Sequence, residues 1–114
     1  MKAIIHGQVP SKSNGYRIGK GFMYKSKALI DYENSFYLQC LEYRDKNIEG
    51  FFELYVDVYF QSNRSDLDNS CKIILDILQK KVKAIKNDNL AVLIHLRKSV
   101  DKNNPRIEFE IKEL

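Results

Sequence analysis

Between Met1 and Ile30 the chain has no acidic residue, so Lys2, Lys12, Arg17, Lys20, Lys25 and Lys27 stand there as six positive charges with no carboxylate among them. Long apolar runs are missing too. Nothing approaches the ~18 consecutive apolar residues of a membrane-spanning helix. The opening Met1-Lys2-Ala3-Ile4-Ile5-His6-Gly7 is too short for a signal sequence, so the expected compartment is the cytoplasm. Cysteine and histidine are scarce. Cys40 and Cys71 lack C-x-x-C spacing and, with His6 and His95, make no convincing zinc set, which leaves the thiols buried, reduced and structural. The phosphate-binding pattern G-x-x-x-x-G-K-[ST] is absent, which excludes a P-loop nucleotide hydrolase.

What is present fits one domain spanning residues 1–114, with room for a single core. Net charge is only +4, but it is unevenly spread. After the acid-free opening, Asp31 to Tyr59 carries seven acids against Arg44 and Lys46, and a second basic cluster follows at Lys80, Lys81, Lys83 and Lys86. Basic patches on either side of an acidic centre suit a polyanionic partner whose phosphates approach bound cations. The plainer alternative is a set of solvated surface lysines.

Hydrophobic periodicity predicts the order β, α, β, α, β, β and hence a two-layer α+β domain, a small mixed sheet packed with two main helices. Lys2 to Val9 alternates weakly, as a strand does. Pro10 to Ser26 holds three of the five glycines and reads as a long loop or irregular hairpin. Leu29, Tyr32, Phe36, Cys40 and Tyr43 mark an amphipathic helix over Ser26 to Asp45 with Ser26 as N-cap. Phe52, Leu54, Val56, Val58 and Phe60 alternate with polar or half-polar residues, the pattern of a half-buried strand. A helix from Asn69 to Lys81 follows, then strands Leu90 to Ser99 and Arg106 to Lys112 around the turn Asp101 to Pro105.

The run Arg64-Ser65-Asp66-Leu67-Asp68-Asn69-Ser70-Cys71-Lys72 crowds two carboxylates, an amide and an amine at this strand-to-helix junction. On a helix beginning at Asn69, Cys71, Ile74, Leu75, Leu78 and Val82 fall on one core-facing arc. Asn69, Lys72 and Asp76 form a polar stripe beside it. Structural roles compete: Asp68 as an N-cap, and Lys72 with Asp76 as an intrahelical ion pair. Capping explains one carboxylate and leaves Asp66 beside it, repelling it unless a cation intervenes. An EF-hand loop would need glycine and glutamate where Cys71 and Ile77 stand. What remains is a carboxylate cage for a hard cation such as Mg²⁺, which prefers oxygen ligands and retains waters that substrate phosphates replace. Asn69 is placed to orient a carboxylate, and Asp76 to position Lys72.

Asp66-x-Asp68-Asn69-x-x-Lys72-x-x-x-Asp76-x-Leu78, with Asp88 further on, resembles the RusA-like Holliday junction resolvases. Pro10-Ser11-x-x-Asn14 and the basic opening loop extend the resemblance over most of the chain. It implies a small α+β homodimer, of a kind often encoded by phages or prophages, that nicks four-way DNA junctions with one or two Mg²⁺ ions. Asp66, Asp68 and Asp88 would be the metal ligands and Lys72 a catalytic cation. Lys12, Asn14, Arg17, Lys20, Lys25, Lys27, Lys80 and Lys83 are the candidate DNA contacts. One departure stands out: the family usually carries an acidic pair at the third position, where this chain has Asn87-Asp88-Asn89. If Asp88 matches the ligand the site is complete; a register off by one would put Asn87 there. The alternative is a branched-DNA-binding dimer of the same fold without catalysis.

Overall fold

The structure, a computed structural model, describes residues 1–11, 15–19 and 22–114. Its elements are β1 (Lys2–His6), a hairpin of β2 (Tyr16–Gly19) and β3 (Phe22–Lys25), α1 (Lys27–Gln39), β4 (Phe52–Phe60), α2 (Leu67–Asp76), β5 (Ala91–Val100) and β6 (Arg106–Glu113). A mixed sheet runs β1-β6-β4-β5, antiparallel except for the parallel pair β4 and β5; β2 and β3 form a separate two-stranded sheet. The α+β class and the order of main elements match the sequence pattern, and the irregular segment after β1 is a hairpin.

Alternation along β4 sets the core. Phe52, Leu54, Val56, Val58 and Phe60 are buried, while Glu53, Tyr55, Asp57 and Tyr59 take the outer face. Phe109 and Ile107 of β6 and Ile5 and Ala3 of β1 continue the buried face, and α1 and α2 cover it. Phe36 of α1 lies 5.8 Å from Phe109 between ring centroids, and Tyr43 lies 5.6 Å from the same ring. The Tyr43 hydroxyl accepts from the Ile111 amide and donates to the Met1 carbonyl, which ties the turn after α1 to the sheet.

Ser26 caps α1, its Oγ accepting the Leu29 N–H at 3.2 Å in a buried setting. Ser26→Ala should therefore cost about 1 kcal/mol of stability, read from denaturant unfolding; a loss below roughly 0.3 kcal/mol would show the cap to be idle. The helix ends at Gln39, short of the expected Asp45, because Cys40 leaves helical geometry with ψ 73° and Asp45 and Asn47 adopt positive φ. Cys40 is fully buried, and that burial pushes its thiol up to about 11.

α2 begins at Leu67, two residues before the predicted start, and it does not continue as α-helix to Lys81. Ile77–Lys81 is a π-helical turn closed by Val82 N–H to the Ile77 carbonyl. The buried arc is Ser70, Ile73, Ile74, Ile77, Leu78 and Val82. Cys71 and Leu75, expected inside, are half-buried on the flank beside the predicted arc's edge.

Candidate metal centre at the strand-to-helix junction

The chain leaves β4 at Phe60, crosses a short loop and enters α2 through Asp66, whose Oδ1 accepts the Asp68 N–H at 3.1 Å. Asp66 is therefore the cap, not Asp68 as the sequence suggested. An aspartate in extended backbone geometry satisfies one of the free amides of the first turn. Asp68 is then the first-turn acid, favoured by the positive end of the helix dipole. Both side chains are exposed, and among the described residues no cation forms an ion pair with either. Exposed Asp66 and Asp68, with half-buried Asn69 next in the chain, offer oxygen donors of the kind that suits a hard cation. Burial first, and then the Asp68 carboxylate, raise the neighbouring Cys71 thiol, against a smaller opposing pull from Lys72.

A small cavity of about 50 Å³ opens next to these acids, lined by Val9, Pro10, Ser11, Phe60, Ser65, Asp66, Asn69 and Ser70. The Pro10-Ser11 segment after β1 thus adjoins the carboxylate loop. A larger groove of about 270 Å³ lies on the outer face of the sheet, far from α2. Its charges already pair with one another: Lys2 with Glu108 at 2.8 Å, and Arg97 with Asp57 at 3.8 Å.

Lys72 stands one turn after Asp68 and is exposed. The expected Lys72–Asp76 pair does not form. Asp76 instead takes Lys80 at 3.0 Å and, more loosely, Lys25 at 3.9 Å, while Lys25 binds the buried Glu33 at 2.6 Å. Asp76 therefore belongs to a ladder joining β3, α1 and the end of α2, and it does not position Lys72. The hydrogen bond and charge of Asp76 raise the Lys80 ammonium above its ordinary value.

Asp88 opens a 3₁₀ turn (Asp88–Leu90) before β5, and its N–H donates to Gln79 Oε1 at 3.0 Å. Gln79 lies in the π-helical turn, eleven residues after Asp68, so the Asp88 backbone is tied to the segment that follows α2. Within one chain the three acids do not gather. Among the described residues, no three His, Cys, Asp or Glu side chains come together to hold a metal ion.

Of the candidate DNA contacts, Lys12, Asn14 and Lys20 lie outside the described residues, and Arg17 is a β2 residue. Lys25, Lys27 and Lys80 are in ion pairs, Lys27 with Asp31 at 2.9 Å, whereas Lys83 is exposed. Sequence reasoning missed Lys98. Its signal was available: along the inner face of β5 the series Ile94, Leu96, Lys98, Val100 is apolar except for this lysine.

β5 is an edge strand of ten residues, with Val92, Leu93, Ile94 and Val100 each 40% exposed or more. The opposite edge, β1, has five residues. No helix among the described residues is long and apolar enough to cross a membrane. The family model described as endodeoxyribonuclease RusA matches residues 7–112, nearly the whole chain. No curated protein matches.

Proposed function

The chain belongs to the RusA endodeoxyribonuclease family, and we propose that it is a Mg²⁺-dependent nuclease that resolves four-way DNA junctions as a homodimer by paired phosphodiester cleavage. The observation that carries this reading is the pair of exposed carboxylates, Asp66 and Asp68, at the start of α2, with which no cation pairs among the described residues. Two like charges so close together weaken the fold unless a cation joins them.

A bound divalent ion supplies an activated water and neutralises charge on the phosphoryl oxygens. Asp66 and Asp68 hold that ion, Asn69 orients their carboxylates, and Lys72 meets the scissile phosphate from the next turn of the helix. The basic residues of the opening segment and of the stretch after α2 hold the arms of the junction by their backbones.

Dimerisation also accounts for Asp88. An edge strand this long and apolar favours pairing with another strand. A two-fold copy added antiparallel to β5 turns the Asp88 end of one protomer towards the end of β4 and the start of α2 in the other. Asp88 then completes a cage with the partner's Asp66 and the partner's Asp68, a third ligand that one chain alone does not supply. Symmetry yields two such sites, as paired nicks require.

Purified protein incubated with a synthetic four-way junction, a matched duplex and a flap should nick the junction in Mg²⁺ and not in EDTA, with the other two substrates cut far more slowly. Binding of the junction without nicking in either Mg²⁺ or Mn²⁺ would leave a branched-DNA-binding dimer in place of the enzyme.

A further inference from the structure

Lys98 makes contacts that none of the roles above uses. It sits on the inner face of β5, level with Val58 of β4, and its ammonium runs beneath the loop between β4 and α2. There Nζ donates to the carbonyl of Asn63 at 2.8 Å and to that of Ser65 at 2.7 Å, 5.8 Å from the centroid of the Phe60 ring. No carboxylate pairs with Lys98 among the described residues. A half-buried cation that spends its donors on two backbone carbonyls of one loop constrains that loop, because charge-assisted hydrogen bonds are short and strong.

The second carbonyl belongs to the peptide that enters Asp66, so fixing it limits the backbone rotation that aims the Asp66 side chain. Gln8 grips the same loop from the other side: its Oε1 accepts the Gln61 N–H at 2.9 Å, and its Nε2 lies 3.5 Å from Ser65 Oγ. We infer that Lys98 is a positioning residue, a clamp that holds the 61–66 loop so that Asp66 and Asp68 project in a fixed direction before any ligand arrives. Its catalytic consequence rests on the nuclease reading; the clamp itself does not. Preorganisation of this kind matters because a displacement of about 1 Å can cost on the order of a hundredfold in rate.

Lys98→Met keeps the aliphatic stem over Phe60 and removes the donors, whereas Lys98→Arg restores them. In metal-free protein, amide hydrogen exchange over residues 62–68 should rise about tenfold or more in Lys98→Met, an opening of the loop alone, with β4 and β6 as protected as before. Single-turnover junction cleavage should fall by roughly ten- to a hundredfold, with junction affinity in EDTA within about twofold, and Lys98→Arg should recover most of both losses. Unchanged exchange at the loop would overturn the clamp. So would a fall in cleavage matched by an equal fall in junction affinity, which would make Lys98 a DNA contact, or a loss of protection throughout the sheet, which would make it a residue of the fold. If wild-type protein cuts no branched DNA, the nuclease reading falls while the exchange experiment still decides the clamp.

Discussion

Asp68→Asn should reduce junction cleavage by about a thousandfold or more, while junction binding in EDTA stays the same or tightens slightly. Single groups that stabilise transition-state charge are commonly worth ~10²–10³ in rate, and a metal ligand contributes to holding the ion as well as to placing it. The substitution preserves shape and removes one negative charge. Folding should survive it, since Asp66 provides the helix cap and the Asp68 side chain is exposed. Removing charge from beside Asp66 relieves repulsion but gives up the favourable helix-dipole interaction, opposing effects of similar small size, so the melting temperature should change little. Binding should not suffer, because the lost charge would have opposed the DNA phosphates. Paired nicking and gel-shift assays measure both quantities, and cleavage within tenfold of wild type would remove Asp68 from the metal centre. Asp66→Asn is the natural companion, since asparagine caps a helix nearly as well as aspartate.

A heterodimer that joins an Asp68→Asn chain to an Asp88→Asn chain should regain activity that neither parent homodimer has. With ligands contributed across a two-fold axis, both lesions fall in one site and the other site is whole. Such a heterodimer, purified through two different tags, should nick at about half the wild-type rate per dimer and cut one strand without its symmetric mate. With all three acids drawn from a single chain, each site would carry one lesion and the heterodimer would be as inactive as its parents. The hydrogen bond from Asp88 to Gln79, beyond the C-terminal end of α2, and the absence among the described residues of any three ligating side chains gathered in one chain favour the first outcome.

The strongest local patterns in the sequence carried over to the fold. The alternation Phe52, Leu54, Val56, Val58, Phe60 became the inward face of β4, and Ser26 caps the helix it was expected to cap. Sheet order was not legible: β6 lies between β1 and β4, and β5 runs parallel to β4, because pairing between distant segments leaves no local trace. Periodicity carried the predicted first helix to Asp45 because Tyr43 remains buried after the helix has stopped at Gln39. A two-residue shift at the helix start moved the cap from Asp68 to Asp66. At the site, the carboxylate cluster could be read from the sequence, but a motif contains no distances. Only the fold shows that Asp88 is tied to Gln79, at the opposite end of α2 from the pair it was expected to join.

The sheet order also dictates a sequence of assembly. β4, α2 and β5 form a continuous crossover unit, so the junction bearing Asp66 and Asp68 forms from neighbouring segments of chain. Among the described residues β1 pairs with β6 alone, Lys2 opposite Glu110 and His6 opposite Arg106, so its place in the sheet depends on β6, which in turn lies against β4. In synthesis β1 is therefore made long before the strand it pairs with. Contacts so distant in sequence slow folding.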